Sequence, residues 1–515
     1  MTEILPLGFS EFTALREAKT VYVDKTRELF DMAQSKRKVL FVRPRRFGKT
    51  LLLFTLETLF KDGLGAFKDL WIASRWTDHT YDVVRFDFSG VREFQEIDDF
   101  RRKFIGHVYA GFAEYGFEFD PNAKATFFDQ LTGWLATRSA LSLVVLIDEY
   151  DTPLTQCFND TNRFEGVRAL LNAFYETLER HDACLRFMFL TGITRFKEEN
   201  CSSLKSLTDL TFDPAFNGLI GFTTDEIQHD FPEHVREASQ FHGVPERTIV
   251  ENLAHLYGGY AFDQTACKTV LCPWSVLNVL NDSEFEFSNY WYQSGEHPTH
   301  WVKRLLNRGN VLSVCLNQGA VIPVPALLTS RSLDEIAIKA LLQQAGYLSI
   351  KYVDSDDMAT LGVPNQEVAV SLAQLIFDLC EQMVTVTPFE SPTNRELMLA
   401  GDLGRFIENV NQLLLQLDPR HFEINDDASA CAFFKFVVLQ SALSPEIIVH
   451  EGFPTDNLVV DIQNTRWVIV FTYAEDPFGQ LKNPVFDESD QQCSVRQLAL
   501  VFDGAKRQYS FRKDI

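Results

Sequence analysis

Positive charge is scarce in this chain. Its 48 Lys and Arg stand against 71 Asp and Glu, a formal net charge of −23, the opposite of what a protein gripping nucleic acid over a broad face requires; only a local basic groove stays compatible with it. Long apolar runs are missing too: the strongest, Leu143 to Ile147, is far too short to span a bilayer. The opening residues Met1–Pro6 carry neither a basic start nor an apolar core, so no export leader is expected. Paired cysteines are absent. The nine, an odd number scattered from Cys157 to Cys493, form neither a disulfide framework nor a zinc knuckle, and the closest pair, Cys267 and Cys272, has no second pair or His cluster beside it. These absences point to a reducing cytoplasm, or to a host's cytosol if the chain is secreted by a route that leaves no leader. Apolar residues are plentiful. At 46% apolar and with 45 Phe over 515 residues, the chain exceeds what one hydrophobic core usually supports, and two to four globular domains are expected.

Val39, Leu40, Phe41 and Val42 read as a buried strand running into Arg43-Pro-Arg-Arg-Phe-Gly-Lys-Thr50, after which Leu51, Leu52, Leu53, Leu56 and Leu59 read as a helix. Strand, turn and helix in that order make a phosphate loop. Gly48 allows close backbone approach, the helix N-terminus offers free N–H groups, Lys49 reaches terminal phosphates, and the Thr50 hydroxyl can ligate Mg²⁺. Arg45, Arg46, Phe47, Gly48, Lys49, Thr50 and Leu51 are the expected nucleotide-binding residues, with ATP and Mg²⁺ as the implied ligands. The full G-x-x-x-x-G-K-[ST] pattern wants glycine at position 43, where this chain has Arg43. Arg45 and Arg46 read equally well as phosphate-facing cations and as solvated loop residues.

Upstream, Val21 to Thr26 reads as a short strand ending on a helix cap, with Leu29, Phe30 and Met32 marking the helix that follows, placed to close over a base. Downstream, Tyr81 to Phe88 is a second strand, and Phe104, Val108 and Phe112 keep helical spacing. Leu141 to Ile147 is the continuous apolar run of a doubly covered parallel strand, ending on Asp148-Glu-Tyr-Asp151. This is a Walker B pattern, in which Asp148 serves Mg²⁺ and Glu149 the attacking water. Another strand, from Leu185, ends on Thr191, Thr194 and Arg195. In a phosphate-loop sheet it would lie beside the Walker B strand, so that Thr191 or Thr194 senses the γ-phosphate and Arg195 approaches it; either Thr reads equally well as a strand terminator. The predicted catalytic set is therefore Glu149, Lys49, Thr194 and Arg195, and the predicted metal set Thr50 and Asp148.

Tyr22-Val-Asp-Lys-Thr26, Arg43 to Thr50, Ile147-Asp-Glu-Tyr-Asp151 and Leu190-Thr-Gly-Ile-Thr-Arg-Phe196 together resemble the bacterial predicted AAA-ATPase-like family, which carries a C-terminal PD-(D/E)XK nuclease-superfamily domain. Arg at position 43 is a habit of that family, and Gly221 to Glu226, Tyr257 to Phe262, Pro273 to Ser275, Tyr290-Trp291 and Ala345 to Ile350 fit it as well. The resemblance implies an α/β fold: a phosphate-loop ATPase core with a parallel sheet over residues 1–221, a helical lid over 222–300, a winged-helix-like and linker region over 301–428, and a nuclease-like domain over 429–515. The residues themselves read as a lid with aromatic packing, a tight turn at Tyr257 to Phe262, a β-hairpin at Tyr347 to Tyr352 with nothing basic to favour DNA, then helices and a linker over 376–428.

At the C-terminus, Ala432 to Leu443 reads as a helix followed by strands at Ile447, Leu458 to Ile462 and Arg466 to Tyr473. The superfamily's first acids fall at Glu451 and Asp456, but its Glu-x-Lys falls on Val470 and Thr472, which supply neither a metal ligand nor a cation. A slipped register would recruit Glu475 or Lys482 instead. The expectation is a domain without nuclease activity that recognises a partner protein, a nucleic acid, which the net charge does not favour, or a second copy of the chain. The chain as a whole then reads as an ATP-driven switch. The rivals are an ATP-regulated nuclease, opposed by Val470, Thr472 and the acidic balance, and a protein that only binds nucleotide, opposed by the intact Lys49, Thr50, Asp148 and Glu149.

Overall fold

The computed structural model describes residues 4–35, 37–157, 160–196, 206–295, 320–328, 338–381, 393–417, 419, 422–441, 446–450, 456–473 and 494–512. Its first sheet is built from β1 (Lys38–Val42), β2 (Asp82–Asp87), β3 (Leu143–Asp148), β4 (Leu185–Gly192) and β5 (Thr208–Asp209), all parallel, in the order β2-β3-β4-β1-β5. The parallel α/β core expected from the sequence is present, with β4 lying between β1 and β3. Every residue of β3 is buried, which explains its unbroken apolar run: both faces of a parallel strand are covered, so no alternation is needed.

Two packed layers do the covering. Val39 and Phe41 join a core with Leu52, Leu53, Leu56, Leu59 and Phe60 of α1 (Lys49–Asp62). Leu40 and Val42 join the opposite one, with Phe100, Phe104, Val108 and Phe112 of α2 (Ile97–Ala113) and Val167, Leu171 and Phe174 of α3 (Thr161–Arg180). At about 1.5–3 kcal/mol for each fully buried large apolar side chain, these layers hold the strand ends fixed. Val21 to Lys25 form no strand; the nearest pairing is an isolated bridge between Ile4 and Thr20, and a helix starts at Thr26.

A helical layer follows, α4 (Thr224–Asp230), α5 (Pro232–His242), α6 (Glu246–Tyr257) and α7 (Pro273–Asn281), with a small hairpin of β6 (Tyr260–Ala261) and β7 (Thr269–Val270). Leu5, Val21 and Val23 of the N-terminal segment enter the core of this layer beside Ile227, Leu253 and Val276. The sequence hairpin at Tyr347 to Tyr352 is longer than expected. Its arms are β9 (Ser349–Val353) and β10 (Met358–Gly362), joined through Asp354 to Asp357 and paired with β8 (Ala320–Pro323). The second arm, Met-Ala-Thr-Leu-Gly, lacks the strong apolar alternation that marks a strand.

Helix α8 (Gln366–Glu381) then leads to α9 (Leu403–Gln416), α10 (Asp427–Ser441) and a mixed sheet ordered β11 (Ile447–His450), β12 (Asn457–Ile462), β13 (Thr465–Tyr473), β14 (Ser494–Asp503), β15 (Gln508–Arg512). Only β13 and β14 run parallel; the other neighbours are antiparallel. Asp456 enters the sheet with its carbonyl accepting the Phe471 amide (2.9 Å), and Asn457 pairs with Val470. Glu451, Glu475 and Lys482 lie outside the described residues. Among the described residues no helix is long and apolar enough to cross a membrane.

Candidate nucleotide site

Helix α1 begins at the end of β1 after a turn that closes on Gly48, whose φ of +96° lies where a Cβ is disfavoured. Arg46 adopts a left-handed φ of +69° as well, the sort of backbone strain kept where a loop must wrap an anion. Arg43 does not face that loop. It is buried between the rings of Phe41 (4.2 Å) and Phe262 (4.4 Å) and donates to the carbonyls of Val42 (2.9 Å), Thr211 (2.6 Å) and Phe216 (3.3 Å). The side chain standing at the glycine position of the usual pattern thus bolts the loop to the chain beyond β5.

Lys49 is buried, with Nζ on the Pro44 carbonyl at 2.9 Å. Burial pulls its pKa down, while Glu149, Asp148 and Asp151 pull it back up. The Thr50 hydroxyl donates to Asp148 Oδ2 at 2.8 Å, so the start of α1 and the end of β3 meet through two hard oxygen donors. Burial raises the Asp148 pKa against the opposing effects of Thr50 and Lys49; a carboxylate in that state favours a neutralising cation. Glu149 follows with a φ of +54° and accepts the Thr152 hydroxyl at 2.5 Å.

Two residues of the same motif, given no role on sequence grounds, fasten this corner. Asp151 is buried and accepts the amides of Ile193 (3.2 Å) and Thr194 (2.6 Å); burial and Glu149 push its carboxyl up to about 7. Tyr150 donates to the Thr194 carbonyl (2.8 Å) and accepts the Phe196 amide (3.1 Å). A Cβ on Gly192 would stand 2.0 Å from Asp151 Oδ1, so glycine is required there. A third acid three residues beyond the first was the available signal. Thr191 donates across the sheet to the Phe41 carbonyl at 2.7 Å. Thr194 is fully buried, and Arg195 pairs with Asp209 on β5 while its amide meets Gln344 at 3.0 Å.

A cavity of about 620 Å³ opens over the loop, within the size range of small-molecule sites. Arg45 to Leu51 and Glu149 line one side, and Gly8, Val21, Lys25, Phe222 and Leu277 are on its wall; Thr194 and Arg195 are not among its lining residues. Lys25 reaches Glu226 of α4 at 2.6 Å, joining the N-terminal segment to the helical layer. Arg45 and Arg46 are not simply solvated. Arg45 lies over Trp291 (4.5 Å) and donates to the carbonyls of Trp291 (3.3 Å) and Gly295, while Arg46 lies over Trp274 (4.6 Å) and donates to Ser294 (2.8 Å).

A family model described as predicted AAA-ATPase matches residues 6–202, a stretch that holds the phosphate loop, the acidic end of β3 and β4. A relative from Azotobacter chroococcum mcd 1, described as an uncharacterized protein in the vnfD 5' region, is 28% identical over 380 residues, 72% of this chain and 69% of its own length. Among solved structures, the Walker-type ATPase of Pyrococcus abyssi aligns at 12% identity and a TM-score of 0.33, over 72% of this chain and 98% of that one. The ORC2 protein of Aeropyrum pernix, in ADPNP–ADP complexes, aligns at 14% and 0.27, over 74% and 96%. Cdc6p from Pyrobaculum aerophilum aligns at 14% and 0.26, over 69% and 93%.

Proposed function

We propose that the protein is an ATP-binding, slowly ATP-hydrolysing switch. The observation that carries this reading is the meeting of buried Lys49 and Asp148 with the exposed Thr50 at the N-terminus of α1, the Thr50 hydroxyl 2.8 Å from the Asp148 carboxylate, with Lys49 and Thr50 lining the cavity. Lys49 and the α1 amides bind the terminal phosphates. Thr50 and Asp148 fit Mg²⁺, which needs one or two protein oxygens in addition to phosphate; the ion, when bound, neutralises charge on the phosphates. Glu149 orients the attacking water and takes its proton, and the bond from Thr152 fixes the carboxylate that does so.

Turnover is slow without help. Arg195 is engaged by Asp209, and Arg45 and Arg46 by the 291–295 carbonyls. A partner or a second copy would then supply the arginine finger, worth roughly 10³–10⁵ in rate. The reading divides the chain into a core (1–221), a lid (222–300), a winged-helix-like and linker region (301–428) and a nuclease-like domain (429–515). A helix followed by three antiparallel strands, α10 to β13, supports the last of these. Val470 and Thr472, both buried beside the entry of Asp456, support a role in partner recognition and not in cutting. Single-turnover and binding assays on Glu149→Gln test the scheme. The variant should hold ATP as tightly as the wild type and lose about 10²–10⁴ in hydrolysis; wild-type turnover would remove Glu149 from the mechanism.

A further inference from the structure

Glu367, near the start of α8, is a fully buried carboxylate far in sequence from the phosphate loop. It accepts the Trp291 amide (2.9 Å) through Oε1 and the Ser275 hydroxyl (3.0 and 2.8 Å) through both oxygens. Those donors belong to the two parts of the lid that hold the loop arginines: Trp291 carries the ring and carbonyl that Arg45 uses, and Ser275 follows Trp274, the ring beneath Arg46. Trp274 closes the arrangement by donating its Nε1 to the Tyr290 carbonyl at 3.1 Å. The Trp291 ring also meets Tyr347, at 5.0 Å in an edge-on contact.

The residue before Glu367 holds a different set of partners. Gln366 donates to the Ile447 carbonyl at 2.6 Å and accepts the Val449 amide at 3.3 Å, a two-point grip on the first strand of the C-terminal sheet. Adjacent residues of α8 therefore hold the segment that anchors the phosphate loop and the edge of a distant sheet. A buried carboxylate is costly unless its oxygens are occupied. Here they are spent on setting the place of the 290–295 segment.

We propose that Glu367 is a positioning residue of the nucleotide site: it fixes the 290–295 segment on which Arg45 and Arg46 are anchored, and through Gln366 it ties that segment to strand β11. The proposal rests on the reading of the cavity as an ATP site. When phosphate draws on either arginine, the segment shifts against Glu367, and α8 carries the shift to Ile447 and Val449. The C-terminal sheet is then the part that reports nucleotide state.

The test uses full-length wild type, Glu367→Ala, Glu367→Gln and Gln366→Ala, with ATP affinity read by calorimetry and hydrogen–deuterium exchange read over residues 446–450 with and without MgATP. Glu367→Ala should weaken ATP by about tenfold or more, and Glu367→Gln by no more than about twofold, because its amide oxygen can accept the same donors. Gln366→Ala should keep wild-type affinity yet lose the nucleotide-dependent change at 446–450, which Glu367→Gln keeps. Wild-type affinity in Glu367→Ala, a Gln variant as weak as the Ala variant, or an undiminished response in Gln366→Ala would each overturn the positioning role. If Glu367→Ala does not fold, the Gln366→Ala and Glu367→Gln arms decide the matter alone. No ATP binding by the wild type would refute the nucleotide reading itself, and the positioning role with it.

Discussion

Arg43 carries the largest departure of this phosphate loop from a glycine-rich one. Its guanidinium joins three backbone carbonyls and two aromatic rings, so Arg43→Gly, which restores the general pattern, should cost about 3–5 kcal/mol in urea unfolding, the scale for breaking a buried charged network. Arg43→Lys should not rescue it, since an ammonium cannot match the planar fork; a loss under about 1 kcal/mol would mean the carbonyls find other donors. A buried carboxyl group, Glu367, sets a pH dependence. Burial pushes the Glu367 carboxyl up to about 8 against the opposing effect of its hydrogen bonds and Arg45. A folded-state pKa above the unfolded one means stability present at low pH and lost as pH rises, here from the ordinary carboxylate range through about 8. Glu367→Gln removes that loss, so between pH 5.5 and 7.5 the variant should gain on the wild type by up to about 1.4 kcal/mol per pH unit in urea titrations. Parallel stability curves would contradict the assignment. Gly48, Lys49, Thr50, Asp148 and Glu149 were legible because each belongs to a short motif. The orientation of Arg43, the clasp of Asp151 and the grip of Glu367 were not, because their partners lie elsewhere in the chain and no local pattern announces them.

Strands and helices were read unevenly for physical reasons. Leu143–Asp148 was plain because a doubly covered strand must be apolar throughout, and α1 because its leucines follow an apolar strand and a loop. Tyr22 to Lys25 looked like a strand but is held by side chains: Asp24 takes the Thr26 hydroxyl (2.6 Å) and the Trp71 amide (2.7 Å), and Lys25 takes Glu226. Strand β13 bears the prediction that matters most for the C-terminal sheet. On the proposed nuclease-like reading of 429–515, Val470 and Thr472 put a hydrocarbon and a neutral hydroxyl at the positions that two-carboxylate metal chemistry would fill with an oxygen ligand and a cation. Purified protein incubated with single- and double-stranded DNA and RNA, with Mg²⁺ or Mn²⁺ and with or without ATP, should leave them intact. Cleavage abolished by Asp456→Ala would show a working nuclease with another ligand set.

One continuous cluster of buried apolar side chains runs from Phe41 and α1 through Tyr347 and Ile350 to Phe434 and Phe471. The ATPase-like sheet, the hairpin region and the C-terminal sheet therefore share packing. The net charge of −23 opposes nucleic-acid binding over a broad face. The proposed switch depends on the cavity over Gly48, Lys49 and Thr50 taking a nucleotide. Isothermal titration of ATP in the presence of Mg²⁺ into the wild type and into Lys49→Ala tests that directly. The wild type should bind one ATP per chain, and the variant, which removes the buried ammonium but leaves the α1 amides, should bind at least about tenfold more weakly. No heat with the wild type, or the same affinity in Lys49→Ala, would contradict it.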